Sequence, residues 1–549
     1  PLRRHELFRG AQRTMSQKTN PSARLSARLA SIFAGGTMLS RILGLVRDMV
    51  VGALVAVGSR DAFILAFKLP NMLRDMIGEG ALNAAFVPVY TKTLENDGDQ
   101  EFKKLVSSAM SSMLLVLLAL TALGTVLVPI LLGGLNTLKP ITGGKTLSPD
   151  DLGLITVLAR WTFPYLFFIG MAVFAMGPLY TLREYATPSW SPALLNVALI
   201  ACCVAFRNTF QDPAYALVLG VWLGGIAQLV VLYVSLGRKT GIWLPDFRLR
   251  HAGVWKIYAL MAPVLVGQAA GEVNKLVDAL FARSLDEGIV SAFYYANRLI
   301  QLPLSMFGFA VAVAILPLLS QAAARDRVRE IRETLMTGFR QSYFLVCPSL
   351  LGLLFFGEPI VRLLFERGDW TPAQTELTVG ALSIYSLGLL AFAWIKVGVT
   401  GFFCVGDTKT PVIVASASML LNILLNVAMV KPLGYRGLAL ATVISYTVNF
   451  GGLYYLLVMR HGPLWNSVFF TALLRMTVAG AVMTAAGYAA HTRVAALWPA
   501  DTGAAQLASV AALLAACAVG YLGACHVLRV DELGDFASLL RRKRRGKRT

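Results

Sequence analysis

Charge is what this chain has least of. Only 15% of its 549 residues are Asp, Glu, Lys or Arg, 56% are hydrophobic, and the mean hydropathy is +0.64. Soluble domains carry about 25% charged residues, so a soluble multidomain protein is excluded. Histidine is also scarce: the five residues are scattered through loops, tails and the last helix and form no metal-ligand cluster. Cys202, Cys203, Cys347, Cys404, Cys517 and Cys525 lie in apolar segments without C-x-x-C spacing and read as packing residues.

Nucleotide and catalytic motifs are missing as well. Thr142-Gly143-Gly144-Lys145-Thr146 ends like a phosphate-binding loop, but Lys139 stands where the first glycine belongs and no strand precedes it. No Ser/His/Asp arrangement is legible, so no catalytic residue is assigned. The first apolar run is long, carries internal arginines and lacks a small-residue cleavage site, so it is expected to remain in the membrane. Pro1 to Thr14, ahead of Met15, reads as a tag or a mis-assigned start.

What is present is a series of about fourteen apolar windows of roughly 20 residues, each long enough to span a bilayer. Their centres fall near Arg41, Ile77, Val116, Ile169, Val197, Gly225, Gly267, Gly308, Val346, Tyr385, Met419, Tyr446, Gly480 and Leu514. The net charge of +20 is confined mostly to the tails and alternate connections. Arg238, Lys239, Arg248, Arg250 and Lys256 fill one connection and Arg325, Arg327, Arg329 and Arg332 another, whereas Ser284 to Gly288 contain no Lys or Arg. By the positive-inside rule the two basic connections face the cytoplasm, and an even span count places both termini there too. The Arg541 to Arg548 run then lies on anionic membrane lipids, each charge contributing about 1 kcal/mol near the surface. Nucleic acid is not expected as a partner.

An internal repeat organises the chain. Val46-Arg47-Asp48, Ala66 to Pro70 and Phe86-Val87-Pro88 are answered by Leu276-Val277-Asp278, Tyr295 to Leu299 and Ile315-Leu316-Pro317. Arg183 to Pro188 with Leu194-Leu195-Asn196 is answered by Gly406 to Pro411 with Leu420-Leu421-Asn422, an offset of about 220 to 230 residues. About six spans per unit leaves the two units pointing the same way, related by an axis along the membrane normal. The expected fold is therefore an all-α polytopic membrane protein of two six-helix lobes plus two C-terminal helices. The N-lobe is assigned to 29–240 and the C-lobe to 251–460, with the last two helices in 465–529 and basic tails at 1–28 and 530–549.

Arg41, Arg47, Arg74 and Arg298 sit inside these apolar runs. An ionisable side chain at the bilayer centre costs at least ~2.5–3.5 kcal/mol, so such residues line a wet, protein-walled cavity. Four guanidiniums suit a polyanion, because the planar fork binds phosphate in a bidentate way. Asp61, Lys68 and Asp75 follow a seven-residue spacing with Glu79 four later, so they share one helix stripe, either a self-neutralising brace or a cavity wall. Arg41 and Asp48 share a face of the first helix while Arg47 points elsewhere, so that one arginine pairs internally and the other meets cargo. Asp278, Asn422, Asn426 and Thr442 form a second group of oxygen ligands, suited to a monovalent hard cation or, equally, to interhelical hydrogen bonding.

Ser40 to Asp48, Asp61-Ala62-Phe63, Ala66 to Arg74, Glu79-Gly80-Ala81 and Ala85 to Pro88 closely resemble the MurJ (MviN) lipid II flippases, and Tyr294 to Leu299 and Gly437 to Thr442 extend the likeness. That family belongs to the multidrug/oligosaccharidyl-lipid/polysaccharide exporter superfamily. The resemblance implies a central cationic cavity and transport of undecaprenyl-pyrophosphate-linked peptidoglycan precursor from the cytoplasmic to the periplasmic leaflet by alternating access. It implies that Arg41, Arg47, Arg74 and Arg298 bind the pyrophosphate and headgroup, that Asp48, Asp61, Lys68 and Glu79 organise the cavity, and that the last two helices form a lipid-tail groove. It also implies a sodium site of Asp278, Asn422, Asn426, Thr442 and the Leu438 carbonyl. Asn426 and Gln301 depart from relatives that carry acids there, which leaves sodium, protons and membrane potential open as the driving force. Lipid II, membrane lipids and cell-wall synthesis and division proteins are the implied partners of a monomeric transporter, which has no enzymatic activity.

Two other readings compete. Another exporter of the superfamily would carry a different lipid-linked oligosaccharide; a drug exporter is opposed by the arginines, since organic cations call for carboxylates and aromatics. A polytopic glycosyltransferase acting on a lipid-linked precursor would need a large outward catalytic loop, and the outward connections are short.

Overall fold

The computed structural model describes residues 21–76, 85–142, 148–241, 247, 251–283, 285–497 and 503–534. Among the described residues the regular elements are all helical, and no strand occurs. Lipid offers the backbone no hydrogen-bond partners, so apolar runs satisfy their N–H and C=O groups within helices. Glu79, most of the glycine-rich Thr142–Thr146 loop and the Arg541–Arg548 run lie outside the described residues.

The first part of the chain forms α1 (Pro21–Leu54), α2 (Val57–Asp75), α3 (Val87–Asn96), α4 (Gly98–Thr142) and α5 (Pro149–Thr162). It continues through α6 (Tyr165–Thr181), α7 (Ala186–Trp190), α8 (Pro192–Phe206) and α9 (Ala214–Thr240). Then come α10 (Ala252–Arg283), α11 (Ile289–Pro303), a π-helical turn (Leu304–Gly308), α12 (Phe309–Ala323) and α13 (Val328–Phe365). The last elements are α14 (Pro372–Phe403), α15 (Lys409–Leu433), α16 (Tyr435–His461), α17 (Ser467–Leu497) and α18 (Gly503–Val527).

Among the described residues eleven helical stretches are long and apolar enough to cross a membrane, so the protein is a multi-pass membrane protein. They cover eleven of the expected spans, from Val116 to Leu514. The other three expected centres are Arg41 in α1, Ile77 just past the described end of α2, and Gly267 in α10. Those segments carry Arg41, Arg47, Asp48, Asp61, Lys68, Arg74 and Asp278.

Two compact units emerge. The first gathers residues up to Val51, Leu69–Val128 and Leu158–Leu265; the second gathers Gly52–Lys68, Pro129–Val157 and the chain from Val266 onward. In the first, Phe86, Tyr90, Phe102 and Phe174 pack edge to face, and α8 meets α9 where Gly220 and Gly224 lie against Leu199 and Leu195. In the second, Phe339, Trp394, Phe450 and Phe469 anchor one core. A further core joins α17, α18 and α13 through Met476, Met483 and Tyr521, whose hydroxyl donates to the Phe344 carbonyl at 2.8 Å. Cys202, Cys203, Cys347, Cys517 and Cys525 are buried free thiols, the packing residues the sequence suggests.

The repeat is visible in matching loop clamps, one in each unit. After α6, Glu184 caps the Thr187 N–H at 3.5 Å and pairs with Lys239 near the end of α9 at 3.4 Å. After α14, Asp407 caps the Thr410 N–H at 3.0 Å and pairs with Arg460 near the end of α16 at 2.6 Å. The following Pro188 and Pro411 lie in the first turn of α7 and α15, where a helix has no intrahelical acceptor for the N–H that proline lacks.

Candidate transport site

In the first unit, α1 and α2 position the basic residues. Arg47 turns its Nε and Nη2 onto Oδ1 of the neighbouring Asp48 at 3.0 and 2.6 Å, and Asp48 is buried at 2% exposure. The internal pair on α1 thus joins Arg47 to Asp48, although Arg41 shares the nominal face with the aspartate. The long guanidinium stem reaches an adjacent carboxylate that helical spacing alone would place apart. Arg41 is exposed.

Arg74 repeats the arrangement, donating from Nε and Nη2 to Oδ1 of Asp75 at 3.0 and 2.5 Å. The Tyr165 phenol, from the first turn of α6, stands against the same guanidinium. Each carboxylate engages its arginine through one oxygen, on one edge of the fork. Such a contact fixes the guanidinium plane and keeps the cation desolvated at less cost than an unpaired charge would incur.

The other predicted residues belong to the second unit. Arg298 is half-buried on α11, three residues past Tyr295. Its neighbour Gln301 donates to Asn297 at 2.9 Å. Lys68 is half-buried and in electrostatic contact with Asp278. Asp61 is fully buried and caps the start of α11, accepting from the Gly288 and Ser291 N–H groups at 2.7 and 2.8 Å and from the Ser291 hydroxyl. A carboxylate at exposed N–H groups of a helix start is favoured by hydrogen bonding and by the helix dipole.

The four oxygen-bearing residues predicted as a second group do converge. Asn426 Nδ2 donates to Asp278 Oδ1 at 2.7 Å and to Asn422 Oδ1 at 3.0 Å. The Thr442 hydroxyl lies 3.4 Å from Asp278 Oδ2 and 3.1 Å from the Leu438 carbonyl, and Asn422 Nδ2 lies 3.4 Å from it. Asn422, Asn426 and Leu438 are buried. The donor set is one carboxylate, two amides, one hydroxyl and one carbonyl, all capable of presenting oxygen to a hard cation. In the observed arrangement the Asn426 nitrogen, a donor, holds the carboxylate; turning that amide over presents its oxygen instead.

Sequence reasoning passed over Arg60. It is fully buried, donating to the Gly52 carbonyl at 2.8 Å, Gln374 Oε1 at 2.5 Å and Ser291 Oγ at 3.2 Å. Its guanidinium carbon lies 4.6 Å from the Trp370 ring centroid and 5.7 Å from that of Tyr295. An arginine in the first turn of a helix ordinarily faces water, so nothing local marked it.

Comparison with known proteins adds the lineage. The family model for lipid II flippase MurJ matches residues 51–505. A probable lipid II flippase MurJ of Vibrio cholerae is 36% identical over 461 residues, covering 83% of this chain and 87% of that one. One from Bdellovibrio bacteriovorus is 31% identical over 512 residues, covering 92% and 95%. Among solved structures, lipid II flippase MurJ in an inward closed conformation superposes with a TM-score of 0.72 at 24% identity, covering 90% of this chain and 99% of that one. An inward-facing multidrug resistance MATE family transporter of the MOP superfamily gives 0.65 at 16%, covering 79% and 98%. These two share the fold. Paired intramembrane arginines, the helical architecture and relatives above 30% identity over most of both chains together establish that this chain belongs to the lipid II flippase MurJ family.

Proposed function

We propose that the chain moves lipid II, the undecaprenyl-pyrophosphate-linked peptidoglycan precursor, from the cytoplasmic to the periplasmic leaflet of the bacterial inner membrane by alternating access. The observation that carries this reading is the pairing of Arg47 with Asp48 and of Arg74 with Asp75 inside helices otherwise suited to lipid. Arginines held in place before cargo arrives are preorganised for a pyrophosphate, which takes up charge-assisted bonds without first ordering the side chains. Arg41 and Arg298 complete the anion-binding set, and Asp48, with Asp75, orients it. The chain is a transporter and not an enzyme.

Both termini face the cytoplasm, as the basic connections imply. The apolar surfaces of α17 and α18, with Phe470, Leu474, Leu514 and Leu522 exposed, suit an isoprenoid tail. Sodium is the proposed coupling ion. Asp278, Asn422, Asn426, Thr442 and the Leu438 carbonyl would hold it, with the carboxylate supplying the charge and the neutral oxygens replacing water. Lys68, in electrostatic contact with Asp278, would compete with that ion for the carboxylate.

The test is leaflet accessibility of lipid II headgroups in cells depleted of their own flippase and complemented with this chain or its Arg47→Ala variant. Restored outward exposure with the parent alone supports the reading. Correct insertion of the parent with no outward exposure would overturn it in favour of another lipid-linked glycan, to be identified by binding of purified protein to candidate pyrophosphate lipids.

A further inference from the structure

The segment Gly52–Lys68 packs with the second unit, although the chain on either side of it packs with the first. Two neighbouring residues hold it there: Asp61, which caps the start of α11, and Arg60. The guanidinium is flanked by the Trp370 and Tyr295 rings, which meet edge to face with centroids 4.8 Å apart, and its donors reach Gln374, Ser291 and the Gly52 carbonyl. Nearby, the Asp369 N–H donates to the Ala53 carbonyl at 2.9 Å. Gly368 has φ +62°, and a side chain there would run into that same carbonyl.

The chemistry of this seat is distinctive. Among the described residues Arg60 has no ion pair: its hydrogen-bond acceptors are an amide, a hydroxyl and the Gly52 and Val55 carbonyls, and its other partners are π faces. Withdrawing a cation from a carboxylate would strand a buried charge, at a cost large enough to oppose release. Withdrawing it from Trp370, Tyr295, Gln374 and Ser291 leaves only neutral groups behind, and the guanidinium regains water. The seat therefore stabilises the docked segment strongly while leaving its undocking feasible.

We infer that Arg60 is the key of a reversible latch, which docks the Gly52–Lys68 segment in the Trp370–Tyr295–Gln374 seat and must be withdrawn each time the extracytoplasmic side opens. The inference rests on the alternating-access reading for the direction of opening. The latch itself is tested without lipid II, so its failure and that of the proposed cargo are distinguishable.

The experiment places a cysteine at Ala62, which is 1% exposed, in the full chain with its native cysteines replaced by alanine, and measures labelling by a membrane-impermeant maleimide added outside. Arg60→Ala and Trp370→Leu are expected to speed labelling by roughly tenfold, the population shift expected from losing a desolvated cation–π contact. Gln374→Glu converts the neutral acceptor into a carboxylate; it is expected to slow labelling, raise thermal stability and depress lipid II exposure in complemented cells. A merely structural arginine would make Gln374→Glu more stable with transport undiminished. Labelling that is the same in all variants, with full transport in Gln374→Glu, would overturn the latch. Should Arg60→Ala fail to fold, the Gln374→Glu result decides alone.

Discussion

Asp407 and Arg460 close a 2.6 Å ion pair between the loop ahead of α15 and the end of α16, where Glu184 and Lys239 stand in the first repeat. The Thr410 N–H and hydroxyl, together with Arg460, hold the Asp407 carboxyl well below its usual range. A depressed native pKa contributes stability in full above the unfolded value of about 3.9, and that stability is lost only as the pH falls through the lower native value. Hydrogen exchange in residues 403–409 is therefore expected to stay slow, once corrected for intrinsic rates, from pH 7 down to roughly 4. Asp407→Asn is expected to lose that protection across the same range. Equal protection in the two proteins would mean that the clamp does not hold the loop.

Turning the Asn426 position into a carboxylate tests the cation group. Sodium affinity depends on the charge of the oxygen set. Asn426→Asp is expected to raise apparent sodium affinity by roughly tenfold, or about 1.4 kcal/mol, and Asn426→Leu to abolish any sodium-dependent thermal shift. A sodium response unchanged in both variants would remove this group from ion coupling.

The arginine pairs separate charge from fork geometry. Arg74→Ala and Arg298→Ala are expected to abolish outward exposure of lipid II while leaving insertion intact. Arg47→Lys keeps the charge but not the bidentate edge, and a loss of about 1.5–3 kcal/mol in headgroup binding is expected. Full transport in Arg74→Ala and Arg298→Ala would dismiss the anion-binding role.

Helix packing offers a stability test independent of cargo. A side chain at Gly220 would meet the Leu199 Cα at 2.8 Å, a backbone atom that cannot swing away. Gly220→Val is expected to lower stability by ~1–3 kcal/mol in thermal unfolding of the solubilised protein. Gly153→Ala, where nothing lies within 4 Å, serves as the control and is expected to leave the melting temperature unchanged or slightly raised.

Much of the architecture was legible because it follows from local properties. Long apolar runs must be helical in lipid, and the Thr187-Pro188 and Thr410-Pro411 punctuation recurs because both loops cap helices in the same way. Asn422 and Asn426 were recognisable as one face from their four-residue spacing, and the structure brings Asp278 and Thr442 to them. Arg60 was not legible. Its seat is built by Ser291 and Gln374, 231 and 314 residues away, and its own neighbours look like an ordinary helix start.

The amino-acid sequence by itself determined the membrane class, the helical runs, the repeat and the identities of the intramembrane charges, because hydropathy and motif order are properties of short stretches. Only the tertiary structure decided which charge meets which partner: Arg47 with Asp48, Arg74 with Asp75 and Tyr165, Asp61 with the start of α11, and Arg60 with an aromatic seat. Helical spacing proposes faces, but long flexible side chains and residues hundreds of positions apart choose among them by desolvation and hydrogen-bond geometry, which exist only once the chain has packed.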